Sequence, residues 1–300
     1  MWEYLKNNFR IKVAVISATM MIFIFISSGI FVFGSEIPEV RTIEIPLTAT
    51  IGNDIAVLDI SCTDQGYIAA KYSGDNEKVK ISVSKNDDKN IYDLLPDQRD
   101  DYIVLPLHAG GGVYEVFFYE NLEETYYLIT FAASFETNIE DKFLPYLYPS
   151  SLVSFTPGSK AVRATQSIIR VSGSDTEIIE NTLKYLSVKL NYDDKLSNEL
   201  YKTNMTYIPD IDEVLSEGKG ACLDYATIMA AMLRITGIPA QVVIGDLMMQ
   251  DREIQRHSWV RAFMRDLGAW IDIDPTYGIS ASRNSGLMNP YALYSVEYYY

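Results

Sequence analysis

The sequence predicts an α+β protein in two parts. Short β-rich runs separated by turn-formers fill residues 37–140. Beyond a proline-bearing stretch at Pro145–Pro157, helical patterns come first and strand patterns follow. Helices then antiparallel strands mark an α+β fold rather than an alternating parallel sheet. At 300 residues and 48% hydrophobic content the chain can bury a large core.

The elements follow in chain order. Val13 to Phe33 is an uncharged run of 21 residues, preceded by Lys6, Arg10 and Lys12 and followed by Glu36 and Glu39. At about 1.5 Å per helical residue it reaches roughly 30 Å, a bilayer core. The positive-inside rule puts a tail of residues 1–12 in the cytoplasm, a transmembrane helix at 13–33, and the remainder outside the cell. A cleaved signal peptide has a shorter apolar stretch of about 7–15 residues, so an uncleaved anchor is expected.

Seven β runs come next: Val40–Pro46, Ile55–Cys62, Tyr67–Tyr72, Val79–Val83, Tyr102–Leu107, Val113–Tyr119 and Tyr126–Phe131. Their number and spacing predict a sandwich over 37–140, with the last two as a hairpin. A second domain is expected over 145–300. Residues 159–172 have a helical pattern. Ser174 with Glu177 matches a capping box, and Ile179, Leu183, Leu186 and Leu190 make one apolar helical stripe. A further helix starts at or near Cys222 and stops before Gly237 and Pro239. Gln241–Ile244, His257–Phe263 and Ala269–Asp274 are strand candidates.

Charge and cysteine usage narrow the function classes. With 40 acidic against 25 basic residues the net charge is −15, which argues against nucleic acid as a partner. Two cysteines are too few for a disulfide framework. Cys62 is expected to be a small buried hydrophobe on a strand. His108 has no second ligand nearby in sequence and is expected to be a loop histidine. No close ligand pair of the C-x-x-C or H-E-x-x-H kind is present, so no metal or cofactor is expected.

Cys222 carries the chemistry. It follows the glycine loop Gly218-Lys219-Gly220-Ala221 and opens a helical pattern. An unassisted thiol is mostly protonated at neutral pH. A helix N-terminus and an imidazole within hydrogen-bond reach both favour the thiolate. His257, in His257-Ser258-Trp259, can serve as that base. A base of this kind needs a carboxylate to fix its tautomer. Asp272 and Asp274 are both offered by the neighbouring strand and at i, i+2 point to one face. Spacing alone does not choose between them. The main-chain N–H at Cys222 can help hold an oxyanion.

The blocks Gly218-Lys219-Gly220-Ala221-Cys222-Leu223-Asp224-Tyr225-Ala226, Met232-Leu233-Arg234-Ile235-Thr236-Gly237-Ile238-Pro239-Ala240, His257-Ser258-Trp259 and Trp270–Thr276, ending Asp274-Pro275-Thr276, resemble the transglutaminase-like superfamily in its bacterial exported form. The resemblance covers about residues 145–280. It implies a papain-like core in which the Cys222 helix packs on an antiparallel sheet. It also implies Cys222 as nucleophile, His257 as general base and Asp274 as orienting carboxylate. Asp224 and Tyr225 match positions that support the nucleophile loop, and Asp272 is left as a supporting or solvated group. Two departures stand out. Val260-Arg261 replaces the Asn-Glu that often follows His-x-Trp, and the only tryptophan upstream of Cys222 is Trp2. Tyr192 is the candidate stand-in at the oxyanion site. The resemblance implies a cysteine-dependent acyl transfer on peptide or protein amides, with a protein or cell-wall peptide as partner. Hydrolysis is expected ahead of crosslinking, and the alternative is a catalytically silent adhesion or assembly module.

Overall fold

The structure is a computed structural model that describes residues 38–203, 207–248, 254–280, 287–289 and 292–300. The expected tail at 1–12 and anchor at 13–33 lie outside the described residues. Residues 37–300 form one compact unit.

The first part is all β. Its strands are β1 (Thr50–Gly52), β2 (Ala56–Asp59), β3 (Tyr67–Tyr72), β4 (Val79–Lys85), β5 (Asp88–Leu94), β6 (Ile103–Pro106), β7 (Gly112–Glu123) and β8 (Tyr126–Thr137). They form two antiparallel four-stranded sheets, ordered β1-β2-β3-β6 and β5-β4-β7-β8. Alternate residues of both sheets meet in one core, with Leu58, Ile68 and Leu105 from one and Ile81, Val116 and Phe118 from the other. The in-out alternation of a sandwich is clearest in β5 and β7. Cys62 is buried and unbridged, but it lies in the turn after β2 rather than on a strand, because β2 ends at Asp59.

Two expectations change here. Val40–Pro46 has no regular structure; its neighbour Leu47 instead uses its N–H to bond the Asp59 carboxylate at 3.1 Å. β5 carries no strand pattern in the sequence, because Asp88-Lys89-Asn90 opens it with polar residues. The two-residue turn Asn86-Asp87, with Asn86 at φ 54°, folds it back on β4 all the same.

The second part is mixed. Its helices are α1 (Lys160–Ile169), α2 (Asp175–Lys189), α3 (Asp194–Thr203), α4 (Ile211–Glu217), α5 (Cys222–Ile235) and α6 (Pro275–Ser280). Its strands are the two-residue pair β9 (Asn191–Tyr192) and β10 (Lys219–Gly220), then β11 (Ala240–Met248), β12 (Ile254–Met264), β13 (Ala269–Ile273) and β14 (Leu293–Tyr299). The larger sheet is antiparallel, ordered β13-β12-β11-β14. α5 is buried along almost its whole length. Ile228, Met229, Met232 and Leu233 share a core with Val242, Val260, Ala262 and Ile273 of that sheet, and with Ile179 and Leu186 of α2. The helix that carries Cys222 is therefore fixed on several sides.

Ser174 caps α2, accepting from the Glu177 N–H at 3.2 Å. The Glu177 carboxylate reaches one residue further back than a capping box requires and accepts from the Gly173 N–H at 2.6 Å. At the other end of α5, Gly237 takes φ 80°, the left-handed conformation a helix stop favours. α3, α4 and β14 had no strong periodic signal. β14 is half tyrosine and polar, and it is held by pairing with β11.

Candidate active site

Cys222 is the first residue of α5. The loop before it is shaped by two glycines. Gly218 at φ 72° ends α4, and its N–H bonds the Val214 carbonyl at 2.9 Å. Gly220 lies so close to Asp224 that a Cβ there would sit 2.7 Å from the Asp224 Cβ. That closeness lets the fully buried Asp224 carboxylate reach back and accept from the Ala221 N–H at 2.7 Å. Its other oxygen accepts from the Tyr207 hydroxyl at 2.7 Å. Burial raises the Asp224 pKa, against the pull of these two bonds. Asp224 thus ties down the turn that presents the thiol. The Cys222 N–H, in the first helical turn, has no carbonyl four residues back to bond and stays available to an oxyanion.

β9 brings Tyr192 to the same place. It pairs in parallel with β10, Tyr192 opposite Gly220, two residues from Cys222. The Tyr192 hydroxyl is hydrogen-bonded to Ser197 at 3.1 Å and interacts with the Cys222 side chain. Burial, and then the adjacent Cys222, push its pKa up to about 12. It remains a neutral donor at physiological pH.

His257 stands in β12 opposite Gly245 of β11. β13 pairs with β12 only from Val260 onward, so no β13 residue is paired beside the imidazole. The ring is hydrogen-bonded through Nε2 to Asp274 Oδ2 at 2.8 Å. Its side chain also interacts with Cys222, and with Nε2 occupied the contact falls to Nδ1. Asp274 is 2% exposed and follows β13 directly. Oδ2 also accepts from the Tyr294 hydroxyl at 2.8 Å. Oδ1 accepts from the Thr276 N–H at 3.0 Å, the Thr276 hydroxyl at 2.7 Å and the Tyr277 N–H at 3.2 Å. Burial opposes ionisation of Asp274, yet His257, Thr276 and Tyr294 outweigh it and hold the pKa at about 2. Burial also opposes charge on His257, but Asp274 and Cys222 outweigh it and push that pKa up to about 10. The imidazolium is the favoured state.

The structure separates the two aspartates that spacing left equivalent. Both lie on the His257 face of the sheet, as i, i+2 residues should. Asp274 meets His257, whereas Asp272 is one step along. Asp272 accepts from Arg261 Nε at 2.9 Å and Nη2 at 3.0 Å, and from Trp259 Nε1 at 3.3 Å. Asp272 is thus a support for Trp259, whose ring lies 6.4 Å from that of His257. Sequence reasoning missed Tyr207 and Tyr294, the hydroxyl partners of Asp224 and Asp274. Neither sits in a motif, and with 22 tyrosines in the chain no single one stands out.

Among the described residues no group of three or more His, Cys, Asp or Glu side chains could hold a metal ion. Cys222 and His257 open on a cleft of about 1050 Å³.

A helix-borne thiol beside a strand-borne imidazole and its carboxylate is the arrangement of the cysteine acyl-transfer class. Residues 163–275 match the core domain of the transglutaminase-like superfamily. A protein-glutamine gamma-glutamyltransferase of Pseudomonas aeruginosa is 32% identical over 83 residues, which cover 24% of this chain and 12% of that protein. The chain therefore spans a small part of the curated relative it matches. Among solved structures, the periplasmic domain of TgpA from Pseudomonas aeruginosa aligns over 80% of this chain and 77% of its own, at 14% identity and a TM-score of 0.36. The crystal structure of a TGase aligns over 42% and 33% respectively, at 20% identity and a TM-score of 0.34.

Proposed function

We propose that this chain is a cysteine-dependent acyl-transfer enzyme acting on peptide or protein amides. The observation that carries the proposal is the buried Cys222–His257–Asp274 set, with His257 biased to its charged form. In the resting thiolate–imidazolium pair the Cys222 proton already sits on His257 Nδ1, and Cys222 Sγ attacks the amide carbonyl carbon. The Cys222 N–H and the Tyr192 hydroxyl bond the developing oxyanion. His257 returns the proton to the leaving nitrogen as the C–N bond breaks, leaving a thioester on Cys222. Water attacks the thioester, with His257 as base, to release the acid and restore the thiol. Asp274 holds the Nε2–H tautomer throughout.

Hydrolysis is the first reading, because water is always present to resolve a thioester. Transfer to an amine is the second, favoured by the name of the curated relative, a gamma-glutamyltransferase. The apolar run 13–33 and its charged flanks support a single-pass membrane protein with residues 34–300 outside the cell. An extracellular protein or wall peptide would then be the substrate.

The test supplies a glutamine peptide together with a labelled primary amine. Ammonia release with a free acid product supports hydrolysis, and label in the peptide supports transfer. Absence of both, or either persisting in Cys222→Ala, sinks the proposal and leaves a silent module.

A further inference from the structure

The cleft at Cys222 has two walls, and one of them belongs to the sandwich. The catalytic wall includes Cys222, His257, Glu297 and Tyr298, and the facing wall is built from β5, the turn after it and the β7–β8 hairpin. Both walls are framed by edge strands, β5 at the end of one sheet and β14 at the end of the other. Edge strands carry main-chain N–H and C=O groups that their own sheet does not use.

The two edges are tied at one end. The Tyr300 hydroxyl donates to the Ile91 carbonyl of β5 at 2.6 Å, and the Tyr300 ring meets Tyr92 edge-on at 5.2 Å. From that tie β14 runs back to Val296, which pairs with Gly245, itself opposite His257. The cleft therefore leads from the Tyr300 tie to the level of the imidazole. Register settles which β5 groups face it. Lys85 and Asp88 close a two-residue turn, so Asp88, Asn90, Tyr92 and Leu94 bond to β4. Ile91 and Asp93 direct their main chain outward, and the Ile91 carbonyl shows this by taking Tyr300. Beyond the edge, Leu95 and Tyr127 add half-buried apolar surface to the same wall.

We propose that the sandwich is the substrate-selecting wall of this active site. An extended polypeptide lies in the cleft and pairs its main chain with the outward edge of β5, with Leu95 and Tyr127 against its side chains. This is strand addition to an open edge. An extended chain advances about 3.3 Å per residue, so a cleft of about 1050 Å³ takes several residues rather than one side chain. The occupant is unfolded or locally extended protein, and free amino acid amides bind too little of the wall to be selected. The inference deepens the acyl-transfer reading and rests on it for the role of Cys222.

The test reads binding without turnover. Full-length Cys222→Ala protein is titrated with reduced, carboxamidomethylated lysozyme, an unfolded basic chain, at about 0.15 M salt to screen charge. Asp93→Pro removes the outward N–H, which an edge strand tolerates. Asp93→Asn keeps that N–H and removes only the ion pair with Lys80. Tyr127→Ala trims the apolar wall. Asp93→Pro and Tyr127→Ala are expected to weaken binding about tenfold each, and Asp93→Asn less than about twofold. Equal binding by all four proteins, or no saturable binding at all, overturns the proposal. Should Asp93→Pro fail to fold, Tyr127→Ala decides it. Amide turnover of the same unfolded lysozyme chain by the protein with Cys222 intact is measured alongside. Edge-dependent binding without turnover would sink the acyl-transfer reading alone, and turnover with edge-independent binding would sink this inference alone.

Discussion

Replacing Asp274 by asparagine changes one charge and hardly any volume. In the native site Oδ2 accepts from His257 and Tyr294, while Oδ1 accepts from Thr276 and Tyr277. An asparagine keeps its carbonyl oxygen on the Thr276 side, where three donors converge. Its amide N–H groups then face the His257 Nε2–H and the Tyr294 hydroxyl, donor against donor. The imidazole resolves the clash by moving its proton to Nδ1, and that nitrogen can no longer take the Cys222 proton. The electrostatic loss is large as well. Lifting His257 from 6.5 to about 10 amounts to roughly 5 kcal/mol in favour of the charged form, supplied jointly by Asp274 and Cys222. Asp274→Asn is therefore expected to return the His257 pKa to about 6.5 or below. Amide turnover is expected to fall about 10³- to 10⁴-fold, the loss seen when a triad loses its carboxylate. The assay is an imidazole NMR titration. It is simple here because the chain has two histidines, and burial beside Arg234 pushes His108 down to about 3. One ring should stay charged past pH 8 in the wild type and lose that charge in the variant. A wild-type His257 that titrates near pH 6.5, or one unmoved by the substitution, would refute the reasoning.

Stability should follow the same pair. Asp274 is held at about 2 and His257 at about 10, against ordinary values of 3.8 and 6.5. Their joint contribution is then full from about pH 4 to 6.5, and fades as pH rises through 10 or falls through 2. Urea midpoints of wild type and Asp274→Asn should differ most near pH 5 and converge at alkaline pH. Tyr207→Phe removes one hydrogen bond from the buried Asp224 and should cost about 1–3 kcal/mol. It should lower kcat more than it changes KM, because the turn before Cys222 loosens while the cleft that Tyr207 helps to line loses only a hydroxyl. Arg234 is buried at 2% exposure and donates to the carbonyls of Ala240, Tyr148 and Tyr300. Arg234→Met removes these buried hydrogen bonds and should destabilise the protein by about 2–5 kcal/mol in urea unfolding.

The sequence carried the core of the site because its three blocks are local. A glycine loop into a helix, a histidine two residues before tryptophan, and an aspartate before proline each have short-range physical reasons. The α5 helix, the β7–β8 hairpin and β11–β13 were legible from periodicity for the same reason. What stayed hidden depends on pairing across the chain. β5 and β14 are polar or tyrosine-rich, and they are strands because β4 and β11 hold them. The choice of Asp274 over Asp272 turned on register, since Arg261 lies opposite Asp272 and claims it. Tyr207 and Tyr294 reach their carboxylates across 17 and 20 residues with no pattern to mark them. The cleft between the sandwich and the Cys222 helix is a product of two sheets meeting, and no single segment encodes it.

The central claim is that Cys222 becomes acylated. Protein mixed with a glutamine peptide, quenched in acid within the first turnover and analysed by mass spectrometry, tests it directly. The account predicts a peptide-acyl adduct on the Cys222 fragment, short of the added peptide's mass by one ammonia. The adduct should be absent in Cys222→Ala and should disappear on treatment with hydroxylamine, as a thioester does. Turnover with no adduct on Cys222, or turnover that survives Cys222→Ala, would contradict it.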